Sequence, residues 1–225
     1  MKADFMVSGN RWVKFGVLGL GILSLAISGC SKNKDLDRVS RDQAATIQSL
    51  SGEVARLNDE LDKVIKSREE LAKAKEALES KLKEELGSGD FSLSMQERGL
   101  VLTVQNKVLF DSGKAELKES SRKVLSKIAA ILQEKVQAHE VLVEGNTDNI
   151  PIRYSKWKSN WELSTGRATE VVHFFIDTGG LNPERFAAIG YGEFHPLTDN
   201  ETPASRKMNR RVEIVISPKK LGDKK

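Results

Sequence analysis

The strongest constraint on this chain is a segment of 51 residues, 36–86, that contains no proline and only one glycine, Gly52. Apolar residues recur along it at alternating spacings of three and four, which is the heptad pattern of a coiled coil. Nine of the twelve a and d positions are aliphatic, and this predicts a helical coiled-coil spacer over residues 36–86. The a positions are Ile47, Val54, Leu61, Arg68, Lys75 and Leu82, and the d positions are Leu50, Leu57, Val64, Leu71, Leu78 and Glu85.

An amphipathic helix of this length has two ways to bury its apolar stripe. We expect a homo-oligomer, a dimer or a trimer, because a lone helix would leave the stripe in water. The alternative is a single helix that folds back on the rest of the chain or stays partly frayed. Gly87, Ser88 and Gly89 follow the spacer, and two glycines in three residues predict a hinge at residues 87–90.

The N-terminal residues predict export from the cytoplasm. Basic residues at positions 2, 11 and 14 precede an uncharged apolar run, Phe15–Gly29. The run is shorter than the roughly 20 residues that a helix needs to cross a bilayer, so it is typical of a secretory signal. The alternative is an uncleaved membrane anchor.

Cys30 comes directly after this run. The arrangement resembles the bacterial lipoprotein signal, in which the cysteine thiol accepts a diacylglyceryl group and becomes the first residue of the mature chain. The resemblance implies a signal peptide at residues 1–29, a lipidated linker at residues 30–35 and a lipid anchor in a membrane. Ser31, rather than an aspartate, follows the cysteine, which favours the periplasmic face of the outer membrane.

Composition excludes several classes of protein. Lys2, Arg11, Lys14 and Asp4 contribute +2 of the net charge of +4, so the chain from Cys30 onward carries only +2. This leaves no basic cluster for a nucleic acid. One cysteine excludes an intramolecular disulfide, and three histidines far apart in sequence predict no metal site; we also predict no cofactor.

We predict that residues 91–218 form a globular domain and that residues 219–225 form a basic tail. Period-two alternation predicts strands at residues 91–96, 100–105 and 210–217. A short apolar run predicts a strand at residues 141–145, and a run that ends in a glycine turn predicts one at residues 186–192. Apolar residues at helical spacing predict helices at residues 116–136 and 161–180. The order of these elements predicts an α+β fold, with two helices packed on one face of a small mixed sheet.

Asp148 and Arg167 are the most informative polar pair in this domain. They lie nineteen residues apart, with a turn-like stretch and a helix start between them. A carboxylate and a guanidinium held together suit a ligand that carries both an ammonium and a carboxylate, because arginine can hold a carboxylate in a bidentate fork. The alternatives are that Asp148 caps a turn and that Arg167 forms a surface salt bridge.

Five motifs occur in the order and spacing of a known family: VLFDSGKAEL, EGNTDNIPI, SNWELSTGRA, IGYGE and NRRVEI. Over about residues 105–217 the sequence resembles the OmpA-like C-terminal domain. The TDNIPI and NWELS wording is most similar to the branch found in the flagellar stator protein MotB. The resemblance implies a periplasmic domain that binds peptidoglycan non-covalently.

The resemblance also implies which residues bind. Asp148 and Arg167 match the family's ligand-binding acid and arginine, and Asp111, Asn160 and Arg211 match further pocket residues by position. The implied ligand is meso-diaminopimelate in the peptide stem, whose side chain ends in an ammonium and a carboxylate. The alternative for Asn160 is a helix cap.

Four positions depart from the family's pattern. Asn146 stands where a histidine is usual, Gly166 replaces an alanine, and Ser205 replaces a common glycine. Gly113 stands where some members have an asparagine that contacts the ligand. These departures leave the acid and the arginine in place.

Other polar and aromatic residues of the domain receive structural roles. We predict that Arg206, Arg210 and Glu213 are scaffold or solvated charges, and that Trp161 and Tyr191 are packing residues.

These observations predict a tether rather than an enzyme. The lipid anchors the N-terminal end of the chain in a membrane, and the C-terminal domain binds the cell wall. The alternative is an accessory or stator-like scaffold of a motility or secretion machine. A stator needs an acid within its membrane helix, and the run Phe15–Gly29 has none. We expect no wall hydrolase activity, because nothing in the sequence places a histidine beside Ser164.

Overall fold

A computed structural model of the protein describes residues 33–153 and 155–218. The predicted signal peptide, Cys30 and the basic tail lie outside the described residues. A long helix α1, Asn33–Lys81, comes first, followed by a short helix α2, Lys83–Gly87. The remaining strands and α-helices are β1 (Phe91–Gln96), β2 (Gly99–Gln105), α3 (Asn106–Leu109), α4 (Glu119–Lys135), β3 (Val141–Asn146), α5 (Asn160–His173), β4 (Phe186–Gly192), α6 (Pro203–Asn209) and β5 (Arg211–Ile216). A π-helical turn, Phe174–Thr178, continues α5, and a 3-10 turn, Pro183–Arg185, precedes β4.

The five strands form one mixed sheet in the order β1-β2-β5-β3-β4. β3 and β4 are parallel, and the other neighbouring strands are antiparallel. α5 lies in the connection between the two parallel strands, which need a crossover of this kind. The predicted α+β fold is confirmed. The short helices α3 and α6 were not predicted, because four and seven residues are too few for a helical period to be visible.

The sheet has one face on the hydrophobic core. Alternate residues of β2, β3 and β5 pack there with the apolar face of α4, as a period of two requires. The sheet contributes Leu100, Leu102, Val104, Val141, Val143, Val212, Ile214 and Ile216, and α4 contributes Leu125, Ile128, Ile131 and Leu132.

Two glycines let α5 lie close to the parallel strands. A Cβ atom on Gly145 of β3 would lie 2.1 Å from the backbone oxygen of Ser164, and one on Gly190 of β4 would lie 2.1 Å from Oγ1 of Thr165. Any larger residue would push the helix away. The close approach fixes where the first turns of α5 lie relative to the end of β3.

The chain divides into two units after Ser51. In the first unit, the described residues of α1 expose Val39, Ile47 and Leu50, each by more than half. In the second unit, α1 has an exposed part and a buried part. The exposed part presents Val54, Leu57, Leu61 and Ile65. Exposed ion pairs of Arg56 with Glu53 and Glu60, and of Lys63 with Asp59, support this part of the helix.

The C-terminal part of α1 belongs to the core of the globular domain. Leu71, Ala74, Leu78 and Leu82 are buried and pack in the same cluster as α4 and the sheet. Their spacing of three and four residues gives one stripe, which the sequence assigned to a coiled coil. The same stripe can be covered by another helix or by a domain, so the heptad pattern could not show that the domain begins before residue 91.

Polar contacts hold this part of the helix in place. Ser67 Oγ lies 3.1 Å from Nε2 of His139, and both residues are buried. Glu85 accepts from Nζ of Lys127 on α4 at 2.7 Å, and this hydrogen bond holds the pKa of Glu85 below its usual value. The residues predicted as a free hinge, 87–90, therefore follow a segment that is already attached to the domain.

None of the helices within residues 33–153 and 155–218 combines the length and the apolar character that a membrane crossing needs.

Candidate binding site

A cavity of about 630 Å³ opens beside the end of β3 and the start of α5. We call it the binding cavity. Four of the five residues predicted from the sequence line it: Asp111, Asp148, Asn160 and Arg167. The crossover from β3 through a loop to α5 brings Asp148 and Arg167 to one place, although nineteen residues separate them.

Asp148 follows β3 and is almost fully buried. Its Oδ1 accepts a hydrogen bond from the backbone N–H of Ile150 at 3.3 Å, so the carboxylate does close a turn. Its Oδ2 lies 2.5 Å from Nη1 of Arg210. A carboxylate has about four positions that can accept hydrogen bonds, and these two contacts leave room for a ligand.

Arg167 is the buried cation of the cavity, with 5% of its surface exposed. Nε donates to the backbone oxygen of Lys114 at 2.9 Å, and Nη2 donates to that of Asp111 at 3.5 Å. The guanidinium lies over the ring of Phe110, 5.3 Å from its centroid. Among residues 33–153 and 155–218, no carboxylate lies within 4.0 Å of it, so the surface salt bridge considered as an alternative is not formed.

The environment of Arg167 favours an anionic ligand. Burial, together with repulsion from Arg210 and against the attraction of Asp148, lowers the pKa of Arg167 to about 10. The group therefore stays charged at neutral pH, but it does so at a cost in solvation. A ligand carboxylate in the cavity would remove part of that cost.

Arg210 lies in the binding cavity, contrary to the prediction that it is a scaffold or solvated charge. It brings the basic side chains of the lining to five, Lys107, Lys118, Arg153, Arg167 and Arg210, against two acidic ones, Asp111 and Asp148. The excess of positive charge makes the cavity better suited to a carboxylate than to an ammonium alone.

Asn160 is the first residue of α5 and connects the helix to the loop that follows β3. Its Nδ2 donates to the backbone oxygens of Asp148 and Ile150, at 3.2 and 3.1 Å. The same atom is 2.7 Å from Oε2 of Glu193. The helix cap is Ser159, whose side chain accepts from the backbone N–H of Glu162. Asn160 therefore positions Asp148 rather than capping the helix.

Asp111 lies at the rim of the binding cavity, where more than half of its side chain is exposed. Its carboxylate lies 3.7 Å from Nζ of Lys114 and 3.5 Å from Nζ of Lys118. Its backbone oxygen, rather than its carboxylate, contacts Arg167.

Arg211 does not line the binding cavity, which corrects the assignment made by position. Its side chain is buried on the other face of the sheet, with Nε 2.6 Å from Oε1 of Glu213 and Nη2 donating to the backbone oxygen of His195. Consecutive residues at the start of a strand point to opposite sides, so Arg210 and Arg211 cannot share a site.

Arg211 belongs to a group of four side chains that we call the charge cluster: Arg98, Glu144, Arg211 and Glu213. Glu144 and Glu213 lie directly opposite each other on β3 and β5, an arrangement that would be repulsive by itself. Arg98 pairs with both, with Nη1 2.6 Å from Oε2 of Glu144 and Nη2 against Glu213. Glu213 is therefore a scaffold charge, as predicted.

Two further predictions concern single residues. Asn146, which replaces a usual histidine, is buried, and its backbone oxygen accepts from Nδ2 of Asn106 at 3.0 Å. Asn106 lines the binding cavity, and no sequence signal singled it out.

Trp161 stacks on Phe194 with 5.2 Å between ring centroids, but about half of its surface remains exposed, so it is less buried than predicted.

A serine, a histidine and a glutamate do meet elsewhere in the domain. Besides the contact with Ser67, His139 Nδ1 lies 3.7 Å from Oε2 of Glu70. His139 has no exposed surface and Ser67 has 2%, so no substrate can reach this hydroxyl. Within the described residues, no group of three or more His, Cys, Asp or Glu could hold a metal ion.

The family model described as OmpA matches residues 109–210, the part of the chain that contains the binding cavity. This part of the chain is therefore an OmpA-like domain. The OmpA-like domain, as we now call it, includes the C-terminal part of α1 in its core.

Curated relatives share this domain. The uncharacterized protein YtxE of Bacillus subtilis is 43% identical over 55% of this chain and 50% of its own length. Motility protein B of Bacillus subtilis is 34% identical over 67% of this chain and 58% of its own length. The probable lipoprotein YiaD of Escherichia coli is 32% identical over 62% of this chain and 61% of its own length. The chain thus spans about half to three fifths of these relatives.

A solved structure supports the same fold. The cell wall anchor of the T6SS from Pseudomonas aeruginosa is 31% identical, with a TM-score of 0.58. The match covers 63% of this chain and 96% of that one.

Proposed function

We propose that the OmpA-like domain binds peptidoglycan non-covalently by holding the diaminopimelate of the stem peptide. The observation that carries this proposal is Arg167, a buried guanidinium without a carboxylate partner among the described residues, in the same cavity as Asp148. Relatives support it: one similar structure is a cell wall anchor.

The carboxylate and the ammonium of the ligand should contribute unequally to binding, the first at Arg167 and the second at Asp148. The carboxylate of meso-diaminopimelate would take the free N–H groups of Arg167, a charge-assisted contact. The ammonium would take the free acceptor positions of Asp148, where it competes with Arg210. Since basic side chains outnumber acidic ones in the cavity, the carboxylate contact should contribute more than the ammonium contact.

The matched comparison is between sacculi whose stem peptides contain diaminopimelate and sacculi that contain lysine, which lacks the terminal carboxylate. We expect the protein to bind the first about ten- to a hundredfold more tightly, because a hydrogen-bonded charge contributes about 1.5–3 kcal/mol. Arg167→Ala should lose this preference, and Asp148→Ala should weaken binding to both. Arg122→Ala, an exposed arginine on α4, is the control. Equal binding of wild type to both kinds of sacculi would contradict the assignment of the ligand.

The second part of the proposal is that the chain tethers the outer membrane to the wall through a lipid on Cys30. Its support is the lipoprotein-like signal and a relative named a probable lipoprotein. The proposed organisation is a signal peptide at residues 1–29, a linker at residues 30–35 and a helix that leads to the binding domain. Labelling with a palmitate analogue should mark the wild type but not Cys30→Ser, and the label should fractionate with outer membranes. Labelled Cys30→Ser, or label in inner membranes alone, would contradict this part.

We also propose that a second copy of the chain covers the exposed part of α1. Four aliphatic residues at helical spacing are exposed there: Val54, Leu57 and Leu61, which are at heptad a and d positions, and Ile65, which is beside one. The contact is shorter than the sequence predicted, because Leu71, Leu78 and Leu82 are already buried in the domain. Leu61→Arg should shift sedimentation of the protein towards the monomer; a wild type that sediments only as a monomer would contradict the oligomer.

A second candidate function is a scaffold of a motility or secretion machine that is anchored to the wall. The similarity to Motility protein B and to the cell wall anchor of the T6SS favours it. It uses the same binding cavity, so the sacculus experiment supports both candidates. Cross-linking in cells distinguishes them: a scaffold should be captured through the exposed part of α1 by a protein other than itself, and a simple tether by a second copy.

A further inference from the structure

Trp157 connects the walls of the binding cavity, and no sequence signal singled it out. It lies in the loop between β3 and α5, and its indole lies against Gly166 on α5. A Cβ atom at Gly166 would lie 2.6 Å from Cη2 of Trp157. Its Nε1 donates to the backbone oxygen of Gly113 at 3.1 Å. The ring therefore joins helix α5 to the loop at residues 111–114.

The loop at residues 111–114 is also what orients Arg167. Its backbone oxygens at Lys114 and Asp111 accept from the guanidinium. Gly113, between them, has φ +68, a left-handed conformation that glycine adopts without strain. The same four residues are thus held by Trp157 from one side and by Arg167 from the other.

Trp157 also ends the second loop of the binding cavity. Ile150, Pro151, Ile152 and Ser155 line the cavity and precede the indole in the chain. Fixing the ring against α5 fixes the end of this loop as well. One side chain thus holds two loops, and the described residues of both loops lie outside the strands and helices.

We propose that Trp157 is a positioning residue for ligand binding: it holds the 111–114 loop so that the carbonyl oxygens of that loop orient the guanidinium of Arg167. The inference rests on the proposed function for its ligand. It gives a reason for one of the departures from the family's pattern, because Gly166 makes space for the indole. Gly113 has the left-handed conformation that glycine adopts without strain, and its carbonyl oxygen accepts the indole N–H.

Gly166→Ala is the most informative variant, because it should weaken binding without lowering the stability of the domain. Alanine is a better helix former than glycine by an amount similar to the contribution of the indole's hydrogen bond, so the melting temperature should change little. The new methyl group displaces the indole, so binding to diaminopimelate sacculi should weaken about tenfold, the equivalent of one or two lost hydrogen bonds. Gly52→Ala is the matched control, because nothing lies within 4 Å of that helical position; its binding should be unchanged.

Two further variants separate the ring from its hydrogen bond. Trp157→Phe keeps a ring on Gly166 but cannot donate to Gly113, and should weaken binding by about threefold. In a Trp157→Ala background, Gly166→Ala should have no further effect, since no indole remains to be displaced. Additive losses in the double variant would contradict the proposal.

Hydrogen exchange tests the positioning without any ligand. The N–H of Lys114 donates to the backbone oxygen of Asp111 at 3.1 Å, and it should exchange faster in Gly166→Ala than in wild type or Gly52→Ala. Unchanged exchange together with unchanged binding would overturn the inference. If the wild type does not bind sacculi, the proposed function fails, and the exchange of Lys114 alone decides whether Trp157 holds the loop.

Discussion

Two sites of the OmpA-like domain, the charge cluster on one face of the sheet and the binding cavity beside the end of β3, hold buried charge in opposite ways. In the charge cluster, Arg98 and Arg211 meet two glutamates, and every group has an opposite charge within contact distance. In the binding cavity, Asp148 pairs with Arg210, while the partners of the Arg167 guanidinium among the described residues are two carbonyl oxygens and a ring. Removing one member of a buried ion pair leaves an uncompensated charge and destabilises the fold, whereas a buried charge that has no partner of opposite charge is available to a ligand.

The largest effect should come from breaking the charge cluster. Arg211→Met keeps the volume of the side chain but leaves the buried carboxylate of Glu213 with one partner fewer. Removing one member of a buried ion pair costs about 3–5 kcal/mol, so the free energy of unfolding should fall by about 3 kcal/mol in denaturant titrations. Binding to sacculi per folded molecule should not change. A loss of binding without a loss of stability would instead place Arg211 in the binding site, as the sequence suggested.

The complementary experiment replaces Arg167, the buried arginine that has no carboxylate partner among the described residues. Arg167→Met should leave the free energy of unfolding equal or higher, because it removes a buried cation that lacks a carboxylate partner. Its binding to diaminopimelate sacculi should weaken by about 1.5–3 kcal/mol. Arg167→Lys is the informative companion, since lysine keeps the charge but not the bidentate fork, and it should recover only part of the affinity. A strongly destabilised Arg167→Met would contradict the contrast between the charge cluster and the binding cavity.

The smallest effect should come from Arg210→Gln, which makes the binding cavity less positive. Arg210 is partly exposed, and glutamine can still donate a hydrogen bond to the buried carboxylate of Asp148, so the free energy of unfolding should fall by only about 1 kcal/mol. Asp148 becomes available to an ammonium, and the attraction for a carboxylate weakens. The preference for diaminopimelate over lysine sacculi should therefore narrow, by roughly a factor of two to five. A wider preference would mean that Arg210 opposes carboxylate binding.

The sequence located most of the candidate site but not all of it. Asp148 and Arg167 were found because an acid and an arginine stand out against the family's motif, and the structure places both in one cavity. Arg210 was missed and Arg211 was included in its place, because adjacent residues are equivalent until the side of the strand on which each lies is known. Trp157 was missed because its role depends on a helix and a loop that lie far from it in the sequence.

The long helix shows the same limit for the fold. A heptad pattern over residues 36–86 predicted one helix and one apolar stripe, and the structure has α1 over most of this range. The stripe is exposed at Leu57 and Leu61 but buried in the domain at Leu78 and Leu82. Periodicity shows which residues share a face, but it contains no information about what covers that face.

By itself, the sequence determined the local structure and the chemistry: the periods of two and of 3.6 that make strands and helices, the turns at glycines, and an acid and an arginine suited to a zwitterion. Only the tertiary structure decided which charges neutralise each other and which remain for a ligand. The physical reason is that local periods depend on neighbours in the chain. Pairing and burial depend on distances between elements that are far apart in the chain, set by the pairing of β3 with β5 and by the packing of α5 against Gly145 and Gly190.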